Sequence, residues 1–159
     1  MATAQHIGGL VVAVAICFAA AGLGGLWTAS SVGDWYAALK KPAWTPPGWL
    51  FGPVWTVLYL MMAVAAWLVW REHGFAAAAV PLGLFALQLA LNVAWSGLFF
   101  GLRNPGAAMA DLTLLWLAIL ATLLSFVPLS RPAAALLIPY LFWVTFAGAL
   151  NWAICRLNQ

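Results

Sequence analysis

The chain has 159 residues, 67% of them hydrophobic and 6% charged, with a net charge of +3 and a mean hydropathy of +1.04. A soluble domain of this length needs more charge to cover its surface, so a cytosolic enzyme, a disordered chain and a disulfide scaffold are excluded. What remains is an all-α integral membrane protein, a single five-helix transmembrane domain over 1–159.

Five apolar runs follow one another, at 7–27, 47–70, 75–100, 106–127 and 132–155. Each reaches the ~20 residues a helix needs to cross ~30 Å of hydrocarbon, and none alternates as a barrel strand would. The first run is read as a span and not as a cleaved leader, because no Lys or Arg precedes it and it stays apolar to Trp27. The longest polar stretch, 28–46, joins the first two spans and contains Asp34, Lys40, Lys41, Pro42 and Pro46. Its side of the bundle collects Lys40, Lys41, Arg103 and Arg156, against Arg71 and Arg131 on the other, which places this loop and the C-terminus in the cytoplasm.

Within the second run, Phe51, Trp55, Tyr59 and Met62 share a face; in the third, Gln88, Asn92, Trp95, Ser96 and Phe99; in the fifth, Tyr140, Trp143, Ala147 and Asn151. Amides are costly in lipid, so these stripes look into the bundle. At 1.5 Å per residue, Trp55, Asn92 and Ala147 all lie roughly 12–14 Å in from the cytoplasmic ends. Two readings stand side by side: the polar groups tie helices together, or they line a pocket with aromatic walls for a flat ligand. Gly52-Pro53 and Pro139 are expected to loosen the helices just before Trp55 and Trp143.

Eleven tryptophans are several times ordinary usage. Trp27, Trp35, Trp44 and Trp49 are assigned to an interfacial belt at one surface, Trp67 and Trp70 to a belt at the other. Ala86, Ala90 and Ala94, followed by Gly97 and Gly101, form a small-residue stripe offset from the Asn92 face, suited to close approach by a second copy. The same stripe would equally serve packing inside one bundle.

Conventional catalytic sets are missing. There is no phosphate loop, carboxylate pair or nucleophile triad, the two cysteines fit no metal spacing, and no cofactor, metal or nucleic acid is expected. Of three acids only Asp111 falls in a span, near the interface, where structural and functional roles weigh equally. His6 and His73 end on one surface, far from the stripes, and are read as solvated and not as haem ligands.

Trp35-Tyr36, Lys41-Pro42-Ala43-Trp44-Thr45-Pro46-Pro47-Gly48-Trp49, Gly52-Pro53-Val54-Trp55 through Tyr59, Gln88 through Asn92, Trp95-Ser96 with Phe99-Phe100, and Pro139-Tyr140 through Asn151 closely resemble the TspO family of tryptophan-rich sensory proteins and mitochondrial translocators. The resemblance covers all five spans. It implies a homodimeric membrane translocator or sensor that binds porphyrins, and in animal members sterols and benzodiazepine-type ligands, within the bundle beneath the first loop. Family contacts carry over onto Tyr36, Trp55, Tyr59, Asn92, Trp95, Trp143, Ala147 and Leu150. The alternative activity it implies is light-dependent porphyrin breakdown, for which Trp55 and Trp143 would be the catalytic residues. Two departures are visible. Ala107 and Ala108 stand where animal members have a tryptophan, and the segment 150–156 lacks the tyrosine of the animal sterol motif, which weakens the case for a sterol ligand.

Overall fold

The computed structural model describes residues 2–159. It is all-α, with no strand among the described residues, and five of its helices are long and apolar enough to span a membrane. Helix α1 runs Ala2–Ser31, α3 Phe51–Ala77, α4 Ala79–Ser96, α5 Pro105–Phe126 and α6 Arg131–Leu157; a four-residue helix, α2, Trp35–Ala38, lies in the first loop. A 3₁₀ turn, Gly48–Leu50, leads into α3, and a π-helical turn, Gly97–Gly101, ends α4.

Local chemistry sets the boundaries. Asn104 accepts the Ala107 N–H at 3.0 Å and Pro105 follows it, a side-chain cap with proline in the first turn where its missing N–H is harmless. Gly74, at φ 70°, kinks α3 one turn before its end at Ala77, and the third span starts at Ala79 and not at residue 75. The expected loosening before Trp55 is absent. Helix α3 begins at Phe51, which puts Pro53 in the first turn, where no intrahelical N–H is lost. Helix α6 runs unbroken through Pro139.

The helices close a ring in the order α1, α3, α6, α5, α4, with α1 and α4 completing it. Small residues permit the α1 contacts. A Cβ on Gly24 would meet Ser96 Oγ at 3.0 Å, one on Gly101 would meet the Trp27 ring at 3.0 Å, and Ser31 Oγ donates to the Phe100 carbonyl at 2.7 Å. Trp27 of α1 sits on Gly97 and Gly101, so the last two members of the small-residue stripe serve packing within one bundle, one of the two uses left open by the sequence. Ala86 and Ala90 remain exposed on the outer face of α4.

Candidate functional site

The ring is filled at mid-depth by a buried polar network. Tyr59 OH donates to Asn92 Oδ1 at 2.9 Å, Asn92 Nδ2 donates to Tyr140 OH at 2.6 Å, and Tyr140 OH donates to Gln88 Oε1 at 2.9 Å. All four side chains are buried, and together they join α3, α4 and α6 across the ring. Each hydroxyl is satisfied, so this layer is rigid and unsuited to rearrangement.

Towards the first loop the network gives way to aromatic rings. Trp55 lies 5.7 Å from Tyr59, 6.3 Å from Tyr140 and, at a right angle, 6.5 Å from Trp143. Trp143 is flanked by Phe51 at 5.7 Å and Phe146 at 5.5 Å, and Trp44 from the loop meets Phe146 edge-on at 5.8 Å. The Trp143 Nε1 donor in this cage is buried and has no partner. Buried polar atoms are nearly always paired, so an unpaired donor on an indole flanked by other aromatic rings marks a place for an acceptor.

A second aromatic group covers the α4 side. Trp95 stacks on Phe99 at 5.2 Å, and its Nε1 donates to Asn151 Oδ1 at 3.1 Å. Asn151 in turn donates to the Pro105 carbonyl at 2.8 Å, and Leu150 packs with Phe99 and Phe100. From the loop, Trp35 and Tyr36 set their edges against Phe99 at 5.5 and 6.1 Å. Burial raises the Tyr36 hydroxyl pKa above its ordinary value. Asp34 caps α2 by accepting the Trp35 N–H; chiefly this bond, with Arg103 nearby, holds its carboxyl below the usual range. Lys41 Nζ closes the other end of α2, donating to the carbonyls of Tyr36 at 2.6 Å and Leu39 at 2.9 Å while lying over the Tyr36 ring.

Of the residues singled out from sequence, Trp55, Tyr59, Asn92 and Trp143 therefore meet in one cluster and Tyr36, Trp95 and Leu150 in a second. Ala147 packs at the edge of the first, and Trp95 touches both. The aromatic walls touch one another, so a planar molecule enters only by parting them. Helical spacing missed one wall residue by stopping early: Phe146 lies three residues after Trp143, hence on its face. Trp44, assigned to an interfacial belt, is half exposed and sets one edge contact on Phe146, while Trp35 contacts Phe99.

At the opposite end Trp67 is not a bare lipid anchor. Its Nε1 donates to the His6 carbonyl at 2.8 Å, and the Arg71 guanidinium lies 4.5 Å over its ring. Trp70 fills the notch left by Gly9, and His73 Nε2 bonds the Leu129 carbonyl at 2.9 Å. Asp111 is buried on α5 with Oδ2 unpartnered.

Residues 13–157 match the model of the TspO/MBR family. The chain is 42% identical over 153 residues to the tryptophan-rich protein TspO of Chlorobaculum tepidum, covering 94% of this chain and 95% of the relative. It is 47% identical over 139 residues to the translocator protein of Bos taurus, with 86% and 82% covered. It is 41% identical over 125 residues to the tryptophan-rich sensory protein of Cereibacter sphaeroides, with 79% and 77% covered.

Proposed function

The chain belongs to the TspO/MBR family of integral membrane translocators and sensors, and on that premise we propose that it binds porphyrins and related flat tetrapyrroles between the aromatic walls beneath its first loop. The observation that carries this reading is the unpartnered Trp143 Nε1 donor, held between Phe51, Trp55 and Phe146. Aromatic rings on several sides suit a planar π-system, and the free N–H suits a carbonyl or carboxylate on its rim. Trp55, Trp143 and Tyr59 form the walls, Asn92 the polar floor, and Tyr36, Trp95, Ala147 and Leu150 the loop-side boundary. Sterols and benzodiazepine-type molecules are weaker candidates for the same space.

Titrating the purified protein with protoporphyrin, read by tryptophan quenching, tests this directly. Saturable quenching is the expected outcome, and non-saturating quenching equal to that of free tryptophan would refute it. A second reading, light-dependent oxidation of the bound porphyrin by dioxygen, draws on the perpendicular contact of Trp55 with Trp143 at 6.5 Å, which sets two oxidisable indoles at the ligand. Trp143→Phe separates the two readings. It keeps a ring, so binding stays near normal; light-driven porphyrin loss that disappears in this variant establishes the second reading, and loss that is absent from the native protein removes it.

The exposed Ala86 and Ala90 face supports a homodimer through α4. Ala90→Leu is expected to shift detergent-solubilised protein towards monomer, and an unchanged dimer would exclude this face.

A further inference from the structure

The first loop covers the end of the ring where Trp55, Trp95 and Trp143 lie, and its middle is fastened at a few points. Lys40 N–H donates to Asn158 Oδ1 at 3.0 Å, and Asn158 Nδ2 donates back to the Lys40 carbonyl at 2.9 Å. The same Nδ2 also donates to the Ile154 carbonyl at 2.8 Å, which fixes the amide to the last turn of α6. A primary amide offers a donor and an acceptor side by side, so Asn158 grips both backbone groups of one loop residue, as a neighbouring strand would. Ser31 Oγ, bonded to the Phe100 carbonyl, ties down the start of the segment at the end of α1. Further along, Asp34 to Arg103 at 3.3 Å is a single ion pair of a kind that contributes little. It is exposed, as are the two Asn158 bonds, which act together on one residue. Just beyond Lys40, Pro42, Pro46 and Pro47 stiffen the segment, so that freeing one end moves it as a piece.

We propose that Asn158 is the latch of the first loop: releasing its two-way bond with Lys40 lets the loop lift off the aromatic walls and sets how fast a flat ligand enters and leaves. The proposal rests on the porphyrin site described above, whose walls touch one another and have to part for any occupant. The amide grips loop backbone and touches none of the wall residues. Loosening it therefore speeds entry and exit together and moves the equilibrium affinity much less than either rate. The competing route is lateral, from the membrane. An apolar groove of about 500 Å³ on the outer face between α5 and α6 shares no lining residue with the site.

Stopped-flow mixing of the detergent-solubilised protein with protoporphyrin, paired with hydrogen exchange of the loop amides, tests the latch. Asn158→Ala is expected to raise association and dissociation rates about fivefold or more, the value of roughly one net hydrogen bond, with affinity within about threefold. Loop amides around residue 40 should exchange faster by a similar factor. Lys40→Ala, which leaves the backbone groups in place, should behave as the native protein. A Lys40→Cys, Asn158→Cys pair, made with Cys155→Ala to prevent mispairing, should slow uptake at least about tenfold when oxidised and recover on reduction.

Uptake unaffected by the oxidised crosslink would overturn the latch and favour the lateral route. Unchanged loop exchange and unchanged rates in Asn158→Ala would also overturn it. A native protein without saturable porphyrin binding but with faster loop exchange in Asn158→Ala would fault the porphyrin reading and uphold the latch on the loop.

Discussion

Both ends of the bundle are rich in tryptophan, yet their indoles are used differently. At the end away from the first loop, Trp67 gives its N–H to the His6 carbonyl and Trp70 fills the space over Gly9, so each ring is matched to a neighbour on α1. At the loop end Trp143 is enclosed by rings and its N–H has no acceptor. The count of aromatic residues does not separate scaffold from site; the pairing of their polar atoms does. The contrast is one between indoles: Trp67 is bonded across a helix joint, whereas the buried Trp143 N–H is still unmatched, which is costly unless something else matches it. The far end has buried unpaired atoms of its own, His6 Nδ1 and Ser130 Oγ, but neither belongs to a tryptophan.

The strongest way to break this contrast is at the far end. A Cβ on Gly9 would lie 2.0 Å from the Trp70 ring, far inside contact distance. Gly9→Leu should therefore destabilise the fold by up to about 3 kcal/mol, as other overpacked sites do, seen as a lower thermal midpoint in detergent. Porphyrin affinity of the molecules that remain folded should stay within about twofold. Lost affinity at unchanged stability would show that the far end takes part in binding.

The contrast is sharpened at the loop end by Trp143→Ala. This removes a wall and the unpaired donor together, and affinity should fall at least about tenfold, or ~1.4 kcal/mol, in the quenching titration. The thermal midpoint should fall as well, because the ring contacts with Phe51, Trp55 and Phe146 are lost, so affinity is read on the folded protein. Affinity equal to the native value would place the site elsewhere.

How much of this was legible in the sequence differs by level. The spans follow from hydropathy, and the faces bearing Trp55, Asn92 and Trp143 follow from helical spacing, because both are properties of single helices. The ring order is not, and it alone makes Tyr140 the hub between Asn92 and Gln88. Pro53 misled because its effect depends on where the helix starts, two residues before it or six. Trp44 and Trp67 were assigned to interfaces by position, yet each has a specific neighbour, Phe146 and the His6 carbonyl, that no periodicity encodes. The loop fastening to Asn158 joins residues 118 positions apart and leaves no mark in local sequence.

The smallest effect is also the finest discriminator. Trp67→Phe keeps an aromatic ring for the Arg71 guanidinium to lie over and removes the N–H bonded to the His6 carbonyl together with one ring of the indole. A single polar tie of this kind between membrane helices contributes about 1 kcal/mol or less, because the separated helix still finds other partners for its carbonyl. A small drop in thermal midpoint is thus expected, with protoporphyrin affinity and both binding rates as in the native protein. The matching substitution at the loop end, Trp143→Phe, also deletes one indole N–H but breaks no bond within the protein. Both substitutions lose the same ring atoms, so the difference between them reads the hydrogen bond. Trp67→Phe is expected to lower the thermal midpoint more than Trp143→Phe. If instead both lowered stability equally, the Trp143 donor would have a structural partner, and the distinction between a finished joint and an open site would fall.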